Sequence, residues 1–103
     1  MIHVIALITT QPGKREKVLA AFNSNLPAVL AEDGCIEYGA TVDAKEIPPT
    51  RNSVGPDTFV VVEKWASLAA LQAHAVAPHM KAYGANVKDM VSNRVVHVLE
   101  PVT

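Results

Sequence analysis

Hydrophobic and polar positions recur along this chain with two different periods. A period of two places successive side chains on opposite faces of a sheet and predicts strands. Apolar positions that recur every three or four residues predict helices with one buried face. The predicted strands are residues 2–10, 35–43, 57–65 and 93–100, and the predicted helices are residues 14–32, a segment that follows Ser67 and a segment that begins at Pro78.

The first predicted helix carries an apolar stripe and an internal proline. The stripe consists of Val18, Phe22, Leu26 and Val29. Pro27 cannot donate a hydrogen bond to the carbonyl of Asn23, so we expect a kink there or a division into two helices. Gly34 can adopt the left-handed conformation that ends the helix before the next strand.

The second and third strands are predicted to present distinct faces. Residues 35–43 alternate cleanly, and one face is formed by Ile36, Tyr38, Ala40 and Val42. The third strand groups Phe59, Val61, Glu63 and Trp65 on one face. The loop 45–56 between the two strands is long for a small domain, so it is a lid, an arm that contacts a partner, or a mobile connection.

The order of elements is β-α-β-β-α-β. With right-handed crossovers and short connections, this order predicts an α+β, ferredoxin-like sandwich of four antiparallel strands with helices on one face. The opposite face of the sheet is also rich in Ile, Leu and Val. Two such sheets packed face to face would bury that surface, so the pattern favours a homodimer with a dimeric α+β barrel.

Size and composition narrow the classes of function. The 103 residues predict one domain, 1–103, of which 50% are hydrophobic and 18% charged, with a net charge of −1. Without a basic patch, nucleic acid is not an expected partner. No segment has the form of a signal peptide or the ~20 apolar residues of a membrane helix, and the single cysteine, Cys35, allows no internal disulfide. We therefore expect a soluble, cytoplasmic protein with no membrane partner.

Two histidines in the stretch 59–79 are candidate catalytic bases. His74 shares a helix face with Leu71 and Pro78, so it can point towards the sheet, either as a general base or as a packed side chain. His79 lies four residues before Tyr83, so these two side chains can touch; alternatively His79 is an exposed residue of the first helical turn. No spacing here resembles a metal-binding motif, so no metal is expected.

The same stretch supplies candidate walls for a substrate pocket. Trp65 and Phe59 can line a pocket or belong to the core, and Tyr38 and Tyr83 combine an apolar ring with a phenol donor. Glu63 lies on the face of Trp65, where an unpaired carboxylate is costly. It could orient a histidine, or bridge to Arg94 or a partner subunit. No phosphate loop or dinucleotide fingerprint is present, so no nucleotide or flavin cofactor is expected.

Several motifs together resemble a known family. They are Pro12-Gly13, Glu32-Asp33-Gly34-Cys35 with Tyr38, Glu63-x-Trp65-x-Ser67, His74, and the run Pro78-His79-Met80-Lys81-Ala82-Tyr83. This pattern resembles the antibiotic biosynthesis monooxygenase (ABM) superfamily of dimeric α+β barrels, and within it the small cytosolic quinol monooxygenases. The resemblance implies an enzyme that oxidises quinols or related hydroxylated aromatics with O₂ and without a cofactor.

Two departures from the superfamily bear on that implication. Haem-degrading relatives carry an asparagine on strand one, whereas this chain has none there. Relatives that oxidise polyketides place an asparagine just before the tryptophan, where this chain has Val60-Val61-Val62. The first departure argues against a haem role. The second means that the chain lacks the asparagine amide that the polyketide enzymes place before the tryptophan.

Two further functions fit the same fold. One is an isomerase or binding protein for a small sugar-like or keto metabolite. A phosphorylated ligand of that kind would require Lys64, Lys81 or Arg94 to face the pocket. The other is a non-catalytic dimeric stress-response module, which predicts a pocket filled by the protein's own side chains.

Overall fold

Four strands and three helices make up the computed structural model, which describes all 103 residues. In chain order they are β1 (Ile2–Thr10), α1 (Arg15–Leu30), β2 (Cys35–Thr41), β3 (Thr58–Trp65), α2 (Leu68–Ala75), α3 (Pro78–Val87) and β4 (Val91–Leu99). The strands form one antiparallel sheet in the order β2-β3-β1-β4. This confirms the predicted α+β, ferredoxin-like fold.

The core lies between one face of the sheet and the helices. Alternate residues of β1, beginning with Ile2 and Val4, are buried, and β3 buries Phe59, Val61 and Trp65 on the same face. From α1, the stripe predicted from sequence contributes its buried members Val18, Phe22 and Val29. Because these side chains repeat at the sheet period on one layer and at the helix period on the other, their burial holds the two layers together.

Helix α1 is continuous through Pro27, so of the two outcomes predicted for this proline, the division into two helices is wrong. The missing hydrogen bond would have ended on the carbonyl of Asn23. Both Asn23 and Pro27 are exposed, and water can therefore satisfy that carbonyl. The helix ends before Gly34, whose φ of 81° is the left-handed conformation expected in this turn.

Strand β2 does not alternate cleanly as predicted. Cys35 pairs with Trp65 and Tyr38 pairs with Glu63, and the register shifts between Cys35 and Glu37. This β-bulge brings Cys35 and Tyr38 to the helix-covered face of the sheet, whereas Ile36 is 54% exposed. The face predicted to group Ile36 with Tyr38 is therefore wrong, because one extra residue changes the phase of the strand.

Helices α2 and α3 begin as the sequence predicts. The Ser67 side chain accepts a hydrogen bond from the backbone N–H of Ala70 at 3.1 Å, which caps α2. Pro78 occupies the start of α3, where its missing N–H leaves no bond unmade. The short break between the two helices fixes His74 at the end of one and His79 at the start of the other.

The second face of the sheet carries no helix. Its apolar side chains are half-buried in β1 and β3 and exposed in β4, where Val95 is 42% and Leu99 46% accessible. All three helices fall short of the length and hydropathy that a membrane-spanning helix requires.

In the 45–56 loop, Val54 and Gly55 donate backbone N–H groups to the carboxylate of Asp43, each at 2.9 Å. These two bonds tie the end of the loop back to its start.

Candidate functional site

A cavity of about 760 Å³ lies between the sheet and the helices α2 and α3. It exists because the helices cover β1 and β3 but leave the edge strand β4 uncovered. Val96 and Val98 of β4 point to the helix side and are still 52% and 51% exposed. The apolar part of the lining includes Val4, Ala6, Ile8, Leu71, Met80, Val87, Val96 and Val98. No residue of the 45–56 loop lines it.

His74 lies in the wall of this cavity and is 5% exposed. Its ring packs against Trp65 with the centroids 4.7 Å apart, and against Tyr38 at 5.2 Å. Its Nδ1 lies 2.8 Å from Oε2 of Glu32. The other ring nitrogen, Nε2, makes no hydrogen bond within the chain and is not fully enclosed by protein. One side of the imidazole is therefore fixed, and the other has no hydrogen-bond partner within the chain.

Glu32 is a site residue that the sequence reasoning missed. It lies just after α1, 42 residues before its partner His74. Its carboxylate reaches both candidate bases, since Oε2 is also 3.3 Å from Nε2 of His79. The sequence signal was present in the motif Glu32-Asp33-Gly34-Cys35, but nothing in the spacing indicated that this acid meets a histidine on another helix.

His79 lies on the far side of Glu32 and does not line the cavity. It lines a second hollow of about 360 Å³ between α1 and α3. Its Nδ1 is 3.1 Å from Oδ1 of Asn25, another residue that the sequence reasoning did not single out. Tyr83, which lies one helical turn after His79, lines the same hollow. No group of three His, Cys, Asp or Glu side chains is arranged to hold a metal ion.

Glu63 is 7% exposed and lines the cavity beside His74. Its Oε1 accepts a hydrogen bond of 2.9 Å from the indole N–H of Trp65, a partner that the sequence reasoning did not consider. Burial raises the pKa of the Glu63 carboxyl above its ordinary value, and the bond from Trp65 opposes this only in part. The acid and the indole thus satisfy each other within the core.

The two tyrosines predicted as pocket walls line the cavity. Tyr38 stacks on Phe22 with centroids 5.4 Å apart, and Tyr83 meets the edge of the same ring at 6.2 Å. Burial raises the pKa of both phenols, so each keeps its proton at neutral pH. They can therefore act as hydrogen-bond donors to a ligand.

Phe59 and Trp65 have a different position from that of the tyrosines. Both are completely buried and neither lines the cavity. Phe59 packs edge-on against Phe22 in the main core. Trp65 forms the backing of His74 and Tyr38, so it shapes the site from behind.

Cationic side chains line one part of the cavity. Lys81, Lys88 and Arg94 are exposed residues of its lining, whereas Lys64 lies 3.9 Å from Glu37 and does not line it. Arg94 lines the same cavity as both tyrosines and Glu63, and its charge opposes the rise in the pKa of all three groups. The arrangement suits an aromatic ligand that carries or develops negative charge.

The sequence of this chain is similar to that of a known protein family. The family model described as antibiotic biosynthesis monooxygenase matches residues 1–86. The protein named "Probable quinol monooxygenase YgiN" of Escherichia coli strain K12 is 42% identical over an alignment of 103 positions, which covers 98% of each chain.

Solved structures share the fold. The structure of Rv0793 from Mycobacterium tuberculosis is 27% identical, with a TM-score of 0.80 and coverage of 99% of this chain and 95% of that one. The structure of PA3566 from Pseudomonas aeruginosa is 22% identical, with a TM-score of 0.81 and coverage of 99% and 94%, and it supports the fold alone. Since the family model matches most of the chain and YgiN is similar along nearly its whole length, this chain belongs to the antibiotic biosynthesis monooxygenase family.

Proposed function

We propose that this chain is a cofactor-independent monooxygenase that oxidises quinols or related hydroxylated aromatics with O₂. The observation that carries the proposal is His74, which is buried in the wall of an apolar cavity with Nδ1 held by Glu32 and Nε2 unpartnered. Family membership and the similarity to the probable quinol monooxygenase YgiN support the same chemistry.

His74 is the proposed general base. When Nδ1 donates its proton to Glu32, the lone pair of the neutral imidazole lies on Nε2. A carboxylate that orients a histidine in this way fixes both the tautomer and the ring. A quinol hydroxyl within hydrogen-bond reach of Nε2 would lose its proton to it. The resulting quinolate is far richer in electrons than the neutral quinol.

The apolar cavity suits the reaction of that quinolate with O₂. Electron transfer gives a radical pair, and its recombination forms a peroxide on the ring carbon. Loss of water from this peroxide leaves a hydroxylated quinone, so one oxygen atom enters the product and the other becomes water. Exclusion of bulk water protects the charged intermediates, and an aromatic substrate packed against the aliphatic lining from β1 and β4 would displace water from the cavity.

Tyr38, Tyr83 and Arg94 are the proposed stabilisers of the oxyanion. The raised pKa of each phenol keeps its proton available for donation, and the guanidinium adds a positive charge at the same cavity. Donors that already face the position where charge develops need no reorganisation during the reaction. This arrangement supports a substrate with at least one ionisable hydroxyl.

The direct test is oxygen uptake with reduced naphthoquinones by protein freed of metal and flavin. We expect a rate above autoxidation, and a loss of about 10²–10⁴-fold in kcat for His74→Ala, the usual contribution of general acid–base catalysis. The matched control is Gln72→Ala on the exposed side of the same helix, which should retain the wild-type rate. If wild-type protein shows no uptake above background with several quinols, the proposal fails.

One observation favours a second candidate function. Lys81, Lys88 and Arg94 line the cavity and form no ion pair, which suits binding or isomerisation of an anionic metabolite. That function predicts saturable binding of phosphate esters or keto acids to wild-type protein, reduced by Arg94→Ala, with no quinol-dependent oxygen uptake. An open cavity of about 760 Å³ does not match the filled pocket expected of a non-catalytic module.

We also infer that the chain acts as a homodimer. The uncovered face of the sheet presents Ile5, Leu7, Val62, Val95 and Leu99, an apolar surface that a monomer would leave in water. A second copy of the same face would cover it with matching chemistry.

A further inference from the structure

We propose that Glu32 and His79 form a proton relay behind His74, which connects the cavity to the hollow between α1 and α3. The proposal rests on His74 being the general base. It assigns His79 a role distinct from the base, as a relay residue that never touches the substrate. It also assigns Glu32 a second role beyond orienting His74.

A single carboxylate oxygen lies close to both histidines. Oε2 of Glu32 lies 2.8 Å from Nδ1 of His74 and 3.3 Å from Nε2 of His79. The three side chains become more exposed in that order, from 6% for His74 to 16% for Glu32 and 27% for His79. The path therefore runs from the interior to the surface.

The two ends of the path open into different spaces. His74 lines the large cavity and not the hollow, whereas His79 lines the hollow and not the cavity. The hollow also contains the exposed residues Ser24 and Asn86, so it is in contact with solvent. A proton that arrives at His79 can leave the protein without passing the substrate.

Asn25 defines which nitrogen of His79 faces Glu32. The amide Nδ2 of Asn25 donates to Sδ of Met80 at 3.3 Å, so its Oδ1 is left to accept from Nδ1 of His79 at 3.1 Å. A neutral His79 with its proton on Nδ1 then has its lone pair on Nε2. This nitrogen is fully enclosed and makes no hydrogen bond, although Oε2 of Glu32 lies 3.3 Å away. A buried nitrogen without a partner is unfavourable, and a small rotation of the ring that brings a protonated Nε2 onto Oε2 relieves this.

The relay gives the proton that His74 removes a path that does not cross the bound substrate. An aromatic substrate in the cavity displaces the water that would otherwise carry this proton away from His74. Nε2 of His74 gains the substrate proton, and Nδ1 passes its own proton to Oε2 of Glu32. Oε2 then passes a proton to Nε2 of His79, and the imidazolium releases its Nδ1 proton to solvent in the hollow once the hydrogen bond to Oδ1 of Asn25 opens. The reverse sequence returns a proton to His74 when the ring-bound peroxide loses water, so protons balance and no electrons move through the relay.

Other ionisable groups near Glu32 do not offer a competing path. They are Cys35 and Tyr38 on β2 and Glu63 on β3. Burial raises the pKa of all three, and the negative charge of Glu32 raises each one further. The thiol and the phenol keep their protons, and the carboxylate of Glu63 is bonded to Trp65.

The test compares His79→Ala with wild-type protein in quinol-dependent oxygen uptake. We expect kcat to fall about 10²-fold, the low end of acid–base contributions, while KM stays unchanged because His79 does not line the cavity. The solvent deuterium isotope effect on kcat should rise, since proton transfer becomes limiting. Imidazole added to the medium should restore the rate through the hollow next to the truncated side chain.

Asn86→Ala is the matched control, because Asn86 lines the same hollow and is not part of the relay. It should keep the wild-type rate and isotope effect. His79→Gln retains a hydrogen-bonding side chain of similar reach that carries no mobile proton, and it should show the same loss of kcat. It replaces His79→Ala in this test if the alanine variant fails to fold. Wild-type kcat and isotope effect in both His79 variants would overturn the relay while leaving the base intact.

A measurement on unmodified protein separates this proposal from the proposed function. Nitrogen-15 NMR of labelled histidine reports which ring nitrogen carries the proton. We expect neutral His79 and neutral His74 each to hold it on Nδ1. A neutral His79 protonated on Nε2 would contradict the relay whether or not the protein oxidises quinols.

Discussion

At the scale of single residues, Glu63 shows how a buried acid is accommodated beside the site. Its carboxylate is 7% exposed and has one hydrogen bond, from the indole of Trp65 at 2.9 Å. Desolvation disfavours the charged form more than this bond favours it, so the pKa lies above the ordinary value of 4.5. The protein therefore keeps an acid whose ionisation opposes folding.

Replacement of Glu63 by glutamine should change how stability depends on pH. Because the folded-state pKa is raised, the contribution of Glu63 to stability is fully present below pH 4.5 and is lost as pH rises through the folded-state value. A glutamine side chain at this position cannot ionise, and its amide oxygen still accepts from Trp65. The free energy of unfolding of Glu63→Gln relative to wild type should increase from pH 4 to pH 8, measured by urea denaturation.

Glu37→Gln provides the comparison for that experiment. Glu37 is on the neighbouring strand, half exposed and loosely paired with Lys64 at 3.9 Å. Its substitution should leave the pH dependence of unfolding unchanged within about 0.5 kcal/mol, as for most surface changes. A Glu63→Gln curve parallel to wild type would show that the carboxylate is better solvated than its surroundings indicate.

At the scale of elements, the turn between α1 and β2 sets the distance between Glu32 and His74. Gly34 has a φ of 81°, and a Cβ added there would lie 2.7 Å from Cβ of Ala70 on α2. The backbone N–H of Ala66 donates to the carbonyl of Gly34 at 2.8 Å. The absence of a side chain at Gly34 therefore lets α2, which carries His74, approach the turn that carries Glu32.

Gly34→Ala should destabilise the protein by about 1–3 kcal/mol through backbone strain, with any displacement of α2 adding to that cost. It should also reduce quinol oxidation, because the Glu32–His74 hydrogen bond depends on the same approach. Gly84→Ala is the contrasting variant, since Gly84 is helical with nothing within 4 Å of an added Cβ. That change should stabilise the protein by about 0.5–1 kcal/mol. Thermal denaturation of both variants measures the difference, and equal effects would contradict the steric argument.

Periodicity alone was enough to predict the elements, because each one shows its own repeat of apolar positions. Ser67 and Pro78 were identified correctly as helix starts because capping and proline geometry are local properties. The bulge in β2 was not predictable in this way, since the sequence of β2 reads as a regular alternation. Which side of the sheet Cys35 occupies is decided by its pairing with Trp65, a contact between distant segments.

The site was only partly predictable for the same reason. His74 and Glu63 were selected because a polar residue on an apolar face is a local anomaly. Glu32 and Asn25 were missed because their importance depends on contacts with residues 42 and 54 positions further along the chain. Phe59 and Trp65 were assigned to the pocket by their strand face, but only the placement of the helices shows that core packing encloses them.

At the scale of the whole molecule, the two faces of the sheet differ in what covers them. One face is covered by α1, α2 and α3 and contains the cavity. The other carries Ile5 opposite Val62 in the centre of the sheet, with Leu7 opposite Val60 and Val95 on either side. Burial of this second face against a partner would remove apolar surface from water in proportion to its area.

Val62→Lys should therefore convert the expected homodimer to a monomer. A charge at the centre of a self-complementary interface is introduced twice, once from each copy, and both charges would be buried without partners. Val76→Lys is the control, because Val76 follows α2, is 63% exposed and is not part of the sheet. Sedimentation velocity at micromolar concentration should give a dimer for wild type and Val76→Lys and a monomer for Val62→Lys. Because the cavity opens on the other side of the sheet, a folded Val62→Lys monomer also tests whether one chain is sufficient for oxidation, whereas a wild-type monomer would contradict the dimer itself.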